Sequence, residues 1–166
     1  VVTPQYPQAD RRGQRKEIKE GVHIERWRPL AWYGNTAVLP QVLWRLGAFD
    51  IVHLHWPFPG TDFFIWLLKL FRWRTRLVVT YHMDLYRLNW RADFFKRIIN
   101  RTTLPLIMHV ADRVVFTNMD FARHSMAARF LPHLGSRAIE IPLGVDTKRF
   151  TPTSYKLQAT SSILFI

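Results

Sequence analysis

The 166 residues contain no cysteine. That absence removes disulfides, thiolate metal sites and cysteine nucleophiles together, and it supports a reducing, cytoplasmic setting as the expectation. Long apolar runs are missing too. The most apolar stretch, FFIWLLKL from Phe63 to Leu70, already carries Lys69 and falls far short of the roughly 20 residues that a membrane-spanning helix needs. The opening VVTPQYPQ has no basic segment followed by an apolar one, so no export signal is expected. There is no GxxxxGK loop, GxGxxG fingerprint, GxSxG turn or HExxH motif, and support for nucleotide hydrolysis, serine hydrolysis and zinc proteolysis falls accordingly. No RNA-recognition signature or zinc finger occurs, so nucleic-acid binding would rest on charge alone and is not expected.

Acidic residues are scarce, 12 against 24 lysines and arginines, for a net charge of +12. The surplus is concentrated: Lys69 to Arg101 holds nine basic residues against Asp84 and Asp93. Such a block draws the chain toward polyanions, among them anionic lipid headgroups and phosphorylated substrates. A hydrophobic share of 48% with 22% charged residues predicts an ordered chain, and this length suits one α/β domain with a sizeable core.

Apolar runs of strand length alternate with helical stretches at intervals of roughly 25 to 35 residues. Asp10 to Glu20 is charged and broken by Gly13, which predicts a solvated loop before a short strand over Val22 to Trp27. Asn35 or Thr36 can cap a helix running to about Leu46. Strands are expected at Ile51 to His55, Leu77 to Tyr81, Val114 to Thr117 and Ala138 to Ile141. Helices are expected between them, over Asp62 to Trp73 with Thr61 or Asp62 as cap, over Ala92 to Val110 with a bend or split at Pro105, and over Asp120 to Leu131. Trp56 to Gly60 must be a turn. The pattern predicts an α/β fold built on a Rossmann-like, doubly wound parallel sheet.

In open parallel sheets, ligands bind beyond the carboxyl ends of the strands. His55, His82, Thr117 with Asn118, and Gly144 with Asp146 each close or follow one of the expected strands, so four segments deliver polar groups to one rim. An imidazole at a strand end can hydrogen-bond a sugar hydroxyl or a phosphate oxygen and can exchange protons near neutral pH. The bland alternative for His82 is a loop histidine that fills a turn. Asp84 can orient His82, hold an acceptor hydroxyl or simply cap a helix. His53 and His55 share a strand face, yet two histidines without a third ligand make a poor metal site. His53 is expected to be buried and hydrogen-bonded, with His55 at the rim. Gly144 is expected to need a positive φ or a close approach, and Asp146 to brace the turn.

Four segments, DIVHLHW (Asp50 to Trp56), TYHMD (Thr80 to Asp84), ADRVVFTN (Ala111 to Asn118) and IPLGVDTKRF (Ile141 to Phe150), follow one another in an order and spacing that resembles the N-terminal, acceptor-side domain of family 4 glycosyltransferases. That resemblance implies one half of a GT-B architecture. It further implies transfer of a hexosyl group from a nucleotide-sugar to a glycan, lipid or small-molecule acceptor, with retention and without a metal or other cofactor. His82 matches the catalytic position; His55, Asp84, Thr117, Asn118, Gly144 and Asp146 are the matching candidates for substrate binding. Both ends look cut. Residues 1–160 are expected to form the acceptor-side domain without its first strand, and 161–166 to begin a nucleotide-sugar-binding domain; the fragment alone would then be inactive.

The rival class is a non-catalytic basic module on anionic membrane or nucleic acid, and a GT-B epimerase is a further enzymatic option. Phe63 to Trp73, with Lys69 and Arg72 among aromatics, can be an interfacial helix on the inner face of a membrane or a helix packed on the sheet with a basic edge. A second basic helix, with Arg91, Lys96, Arg97 and Arg101, adds to the membrane option.

Overall fold

The computed structural model describes residues 1–5, 15–33, 36–85 and 90–144. Its centre is a four-stranded, fully parallel sheet in the order β6 (Ile51–Trp56), β7 (Arg76–Tyr81), β8 (Arg113–Phe116), β9 (Ala138–Glu140). A smaller sheet places β1 (Val2–Pro4) parallel to β3 (Val22–Trp27), with β2 (Lys16–Lys19) antiparallel on its other side. β4 (Ala31–Tyr33) and β5 (Thr36–Val38) form a hairpin. Between β6 and β7 lies α2 (Asp62–Phe71); α3 (Trp90–Arg101) and α4 (Thr103–Val110) connect β7 to β8; α5 (Met119–His124) and α6 (Leu131–Leu134) precede β9. A parallel sheet flanked by helices is the Rossmann-like α/β arrangement that the alternating pattern predicts.

The core follows from the two-residue period of the strands. Val52, Leu54 and Trp56 of β6 are buried and sit opposite Leu77, Val79 and Tyr81 of β7, so one face of the sheet is continuous hydrocarbon under α2 and α4. At the carboxyl edge Trp56, Tyr81 and Phe116 align in register and are at most 1% exposed. Each aromatic ring in that row contributes about 2–3 kcal/mol of burial, which fixes the strand ends where the polar residues begin.

Several local expectations change. Lys16 to Lys19 form a strand rather than part of a loop, because Glu20 and Gly21 both adopt positive φ (51° and 79°) and turn the chain back against β3. Residues 6–14 lie outside the described set. The helix expected from Asn35 or Thr36 starts only at α1 (Val42–Arg45), since Thr36, Ala37 and Val38 pair with β4; Asn35 itself is outside the described residues. Thr61 explains the preference: its hydroxyl donates to Ala37 C=O at 2.6 Å and accepts from Leu39 N–H at 3.0 Å, stitching this segment to the start of α2. The long third helix is split at Thr102, upstream of Pro105, which leaves Pro105 in the first turn of α4 where its missing donor costs nothing. The last long helix is likewise cut, by an extended Ser125 whose Oγ donates to Ala122 C=O and accepts from Ala127 N–H.

Candidate active site

The register that aligns the aromatic row decides what stands just beyond it. Pro57, His82 and Thr117 follow Trp56, Tyr81 and Phe116 directly. The ladder runs one bond further: His82 N–H donates to Trp56 C=O at 3.0 Å, and Ile141 N–H to Phe116 C=O at 2.9 Å. His82, Thr117 and Asn118 therefore share the carboxyl edge of one sheet, and the segment leading to Gly144 leaves from the same edge.

A row of imidazoles occupies that edge and the open face of β6. Nδ1 of His55 lies 2.7 Å from Nε2 of His82, with the two rings nearly parallel at 11° and their centroids 5.1 Å apart. His53 stacks on His55 at 4.5 Å, and its Nε2 is 2.7 Å from Thr80 Oγ1. The pairing has a register origin: His55 is directly opposite Thr80 and His53 opposite Val78, so each hydrogen bond reaches the diagonal neighbour two residues further along β7. His53 is hydrogen-bonded as expected but not buried, because the odd-numbered face of β6 carries Ile51, His53 and His55 outward. Burial, then the neighbouring His55, holds His82 below the ordinary imidazole range. Partial loss of hydration under its neighbours, then His55 and His82, does the same for His53, exposed as its strand face is. A histidine shifted in this direction is neutral at pH 7, able to accept a proton at one ring nitrogen while donating from the other.

The other candidates are placed as follows. Asp84 is committed to structure: Tyr81 Oη–H donates to Oδ1, and Met126 N–H donates to Oδ1 at 3.0 Å and Oδ2 at 3.2 Å. It makes no hydrogen bond to His82 among the described residues. Burial, and then the Asp84 carboxylate, pushes the Tyr81 hydroxyl up, so it stays a donor. Asn118 caps α5, its Oδ1 accepting from Asp120 N–H at 2.6 Å and Phe121 N–H at 3.3 Å. Thr117 is half-buried beside it. Gly144 is exposed, its φ lies outside the left-handed region, and an added Cβ would meet no described residue within 4 Å, so neither the positive φ nor the close approach expected there is found among the described residues. Asp146 falls outside the described residues.

Beside β6 a cleft of about 570 Å³ separates this strand from β1; Val2, Pro4, Leu39 and Val42 form its apolar walls, while His53 and His55 supply polar groups. Among the described residues no group of three or more His, Asp or Glu is placed to hold a metal ion.

The profile of Glycosyltransferase Family 4 matches residues 1–149. The chain belongs to glycosyltransferase family 4. A GDP-mannose:cellobiosyl-diphosphopolyprenol alpha-mannosyltransferase from Komagataeibacter xylinus is 29% identical over 140 residues, which cover 81% of this chain and 32% of that protein. The chain thus spans about a third of that relative's length. No solved structure matches it. Its α/β sheet is a Rossmann-like half of a GT-B architecture.

Two features of this glycosyltransferase domain escape sequence reasoning. One is the Tyr81–Asp84–Met126 brace, which ties the end of β7 to the turn after α5 across 42 residues. The other is the internal bond of the expected turn before α2: Gly60 has φ +91°, and its N–H donates to Asp62 Oδ1 at 3.0 Å. A P-G pair at Pro59–Gly60 signals the turn. Nothing local signals the partner of Asp84.

Proposed function

We propose that this domain is the acceptor-side half of a retaining hexosyltransferase, which takes a sugar from a nucleotide-sugar and delivers it to a lipid-linked saccharide without a metal ion. The observation that carries this reading is the His55–His82 pair at the carboxyl edge of the sheet, next to Thr117. His82 offers a neutral imidazole whose Nδ1 has no hydrogen-bond partner among the described residues, and that nitrogen would meet a hydroxyl of the transferred sugar or an oxygen of the leaving diphosphate. Charge developing on the diphosphate would be met by fixed donors and cations rather than by a bound ion. Residues 1–160 supply the acceptor side in this reading, and donor binding falls to a second domain; the 166 residues alone are inactive. The relative's printed name, with a diphosphopolyprenol acceptor, supports the choice of a lipid-linked acceptor.

The test is sugar transfer by the full-length polypeptide. His82→Ala lowers turnover by about tenfold or more with the fold intact; wild-type turnover from that variant removes His82 from the site.

The acceptor chemistry also favours docking on the cytoplasmic face of a membrane. No helix among the described residues is long and apolar enough to cross a bilayer. The end of α2 nevertheless exposes Leu70 (51%), Phe71 (76%) and Trp73 (70%) beside the exposed Arg72, Arg74 and Arg76, and α3 exposes Ile98 beside Arg97 and Arg101. Aromatics for the headgroup layer and cations for anionic lipid are the two halves of an interfacial surface. Cosedimentation with phosphatidylglycerol vesicles that weakens in high salt supports this; equal pelleting with neutral phosphatidylcholine vesicles contradicts it.

A further inference from the structure

We infer that His55 is a positioning residue for His82, holding its imidazole in one orientation and one tautomer through the direct Nδ1···Nε2 hydrogen bond. The inference rests on the reading that His82 faces the substrate, and it assigns His55 to the other imidazole rather than to the substrate.

Two imidazole nitrogens 2.7 Å apart share one proton, because two lone pairs or two N–H groups at that distance repel. One ring therefore donates and the other accepts, and the choice at the contact dictates the state of the far nitrogens. If Nε2 of His82 carries the shared proton, its Nδ1 is a lone pair and a base. If Nδ1 of His55 carries it, Nδ1 of neutral His82 is a donor. A side chain alone in solvent samples both forms; one locked to a neighbour does not.

The surroundings make His55 suited to the task. It lies on β6, whose backbone is fixed by the full ladder to β7, and His53 stacks on it at 4.5 Å. His53 is in turn held at Thr80 Oγ1, and Thr80 is a buried residue of β7. The chain of contacts thus runs from a fixed hydroxyl through two rings to His82. His82 itself stands one residue beyond β7, and among the described residues its side chain has no hydrogen-bond partner other than His55. Asp84, two residues away, is committed to Tyr81 and Met126 and leaves the orienting role unfilled. The bond requires at least one neutral ring, because two fully protonated rings would set N–H against N–H at the contact.

The experiment has a spectroscopic arm and a kinetic arm. In the 166-residue chain with ¹⁵N-labelled histidine, a ¹⁵N–¹⁵N coupling across the hydrogen bond connects His55 Nδ1 to His82 Nε2, and two-bond ¹H–¹⁵N spectra show both rings in the same single tautomer, Nε2–H where His82 donates and Nδ1–H where His55 donates. In His55→Ala the coupling vanishes and His82 becomes a mixture of tautomers. His55→Asn places an amide near the lost Nδ1 and restores a single tautomer. In the full-length polypeptide, His55→Ala lowers kcat roughly tenfold with KM for the nucleotide-sugar little changed, and His55→Asn recovers most of that loss. The inference is overturned by an absent coupling, by His82 signals that ignore His55→Ala, or by an unchanged kcat in that variant. Wild-type turnover by His82→Ala, with the coupling present, instead overturns the assignment of His82 to the site.

Discussion

Replacing Asp62 by Asn isolates the cost of burying a carboxylate at the start of α2. The side chain is fully buried. Its Oδ1 accepts from Gly60 N–H at 3.0 Å and Phe63 N–H at 2.9 Å, while Oδ2 has no partner among the described residues; the Thr103 hydroxyl donates to Ile99 C=O instead. Loss of hydration outweighs those donors and raises the carboxyl from 3.8 to about 6. The folded state therefore holds this proton more tightly than the unfolded chain does. Stability falls as pH rises from about 4 to about 6, and the penalty is complete above that window. A displacement of roughly two pH units corresponds to about 3 kcal/mol. Asp62→Asn keeps the acceptor that organises the Gly60 turn and deletes the charge, although its own unpaired N–H takes back part of the gain. That offset does not depend on pH. The expected outcome is a variant more stable than wild type by about 1–3 kcal/mol at pH 8, with the gain about 2 kcal/mol smaller at pH 4. Urea unfolding of both proteins at the two pH values measures it. A stability difference identical at pH 4 and pH 8 would refute the reasoning.

Asp112 should behave in the opposite sense. Burial works against its charge, but Lys69 at 2.7 Å, the Leu77 N–H and Arg76 together hold its pKa at about 2. Its contribution is present above about pH 4 and lost as pH falls toward 2, so Asp112→Asn costs roughly 2 kcal/mol at pH 7 and much less at pH 2.5, read from urea midpoints. Gly60→Ala forces a side chain onto φ +91° with its Cβ 2.8 Å from Val38 Cγ2. A loss of about 1–3 kcal/mol follows, visible as a lower Tm, and an unchanged Tm contradicts the strain. Gly144→Ala, by contrast, meets no described residue and leaves Tm unchanged.

The strands of the central sheet were legible because each is a short apolar run bounded by turn residues, and the rim followed from the residues that terminate them. His82 and Thr117 stand where DIVHLHW, LVVTY and RVVFT place them. What was illegible depends on partners remote in sequence. Thr36 to Val38 is a strand because β4 and the Thr61 hydroxyl receive it, and no local propensity distinguishes that from a helix cap. The His55–His82 contact needs the register of two strands to within one residue, which periodicity does not supply. Asp84 looked available for His82 because the turn at Met126, which claims it, lies 42 residues away. Family resemblance carried the functional reading where chemistry alone left a loop histidine and a site histidine both open.

We propose that sugar chemistry takes place at the carboxyl edge of the β6–β9 sheet, with His82 in contact with the reacting sugar. A crystal structure of the full-length polypeptide with nucleotide-sugar and acceptor measures it directly. The expected result is a ring nitrogen of His82 within about 3.5 Å of the transferred sugar or the diphosphate, with His55 still bonded behind it. A sugar bound at the opposite edge of the sheet, beside Asp50 and Arg76, would contradict it.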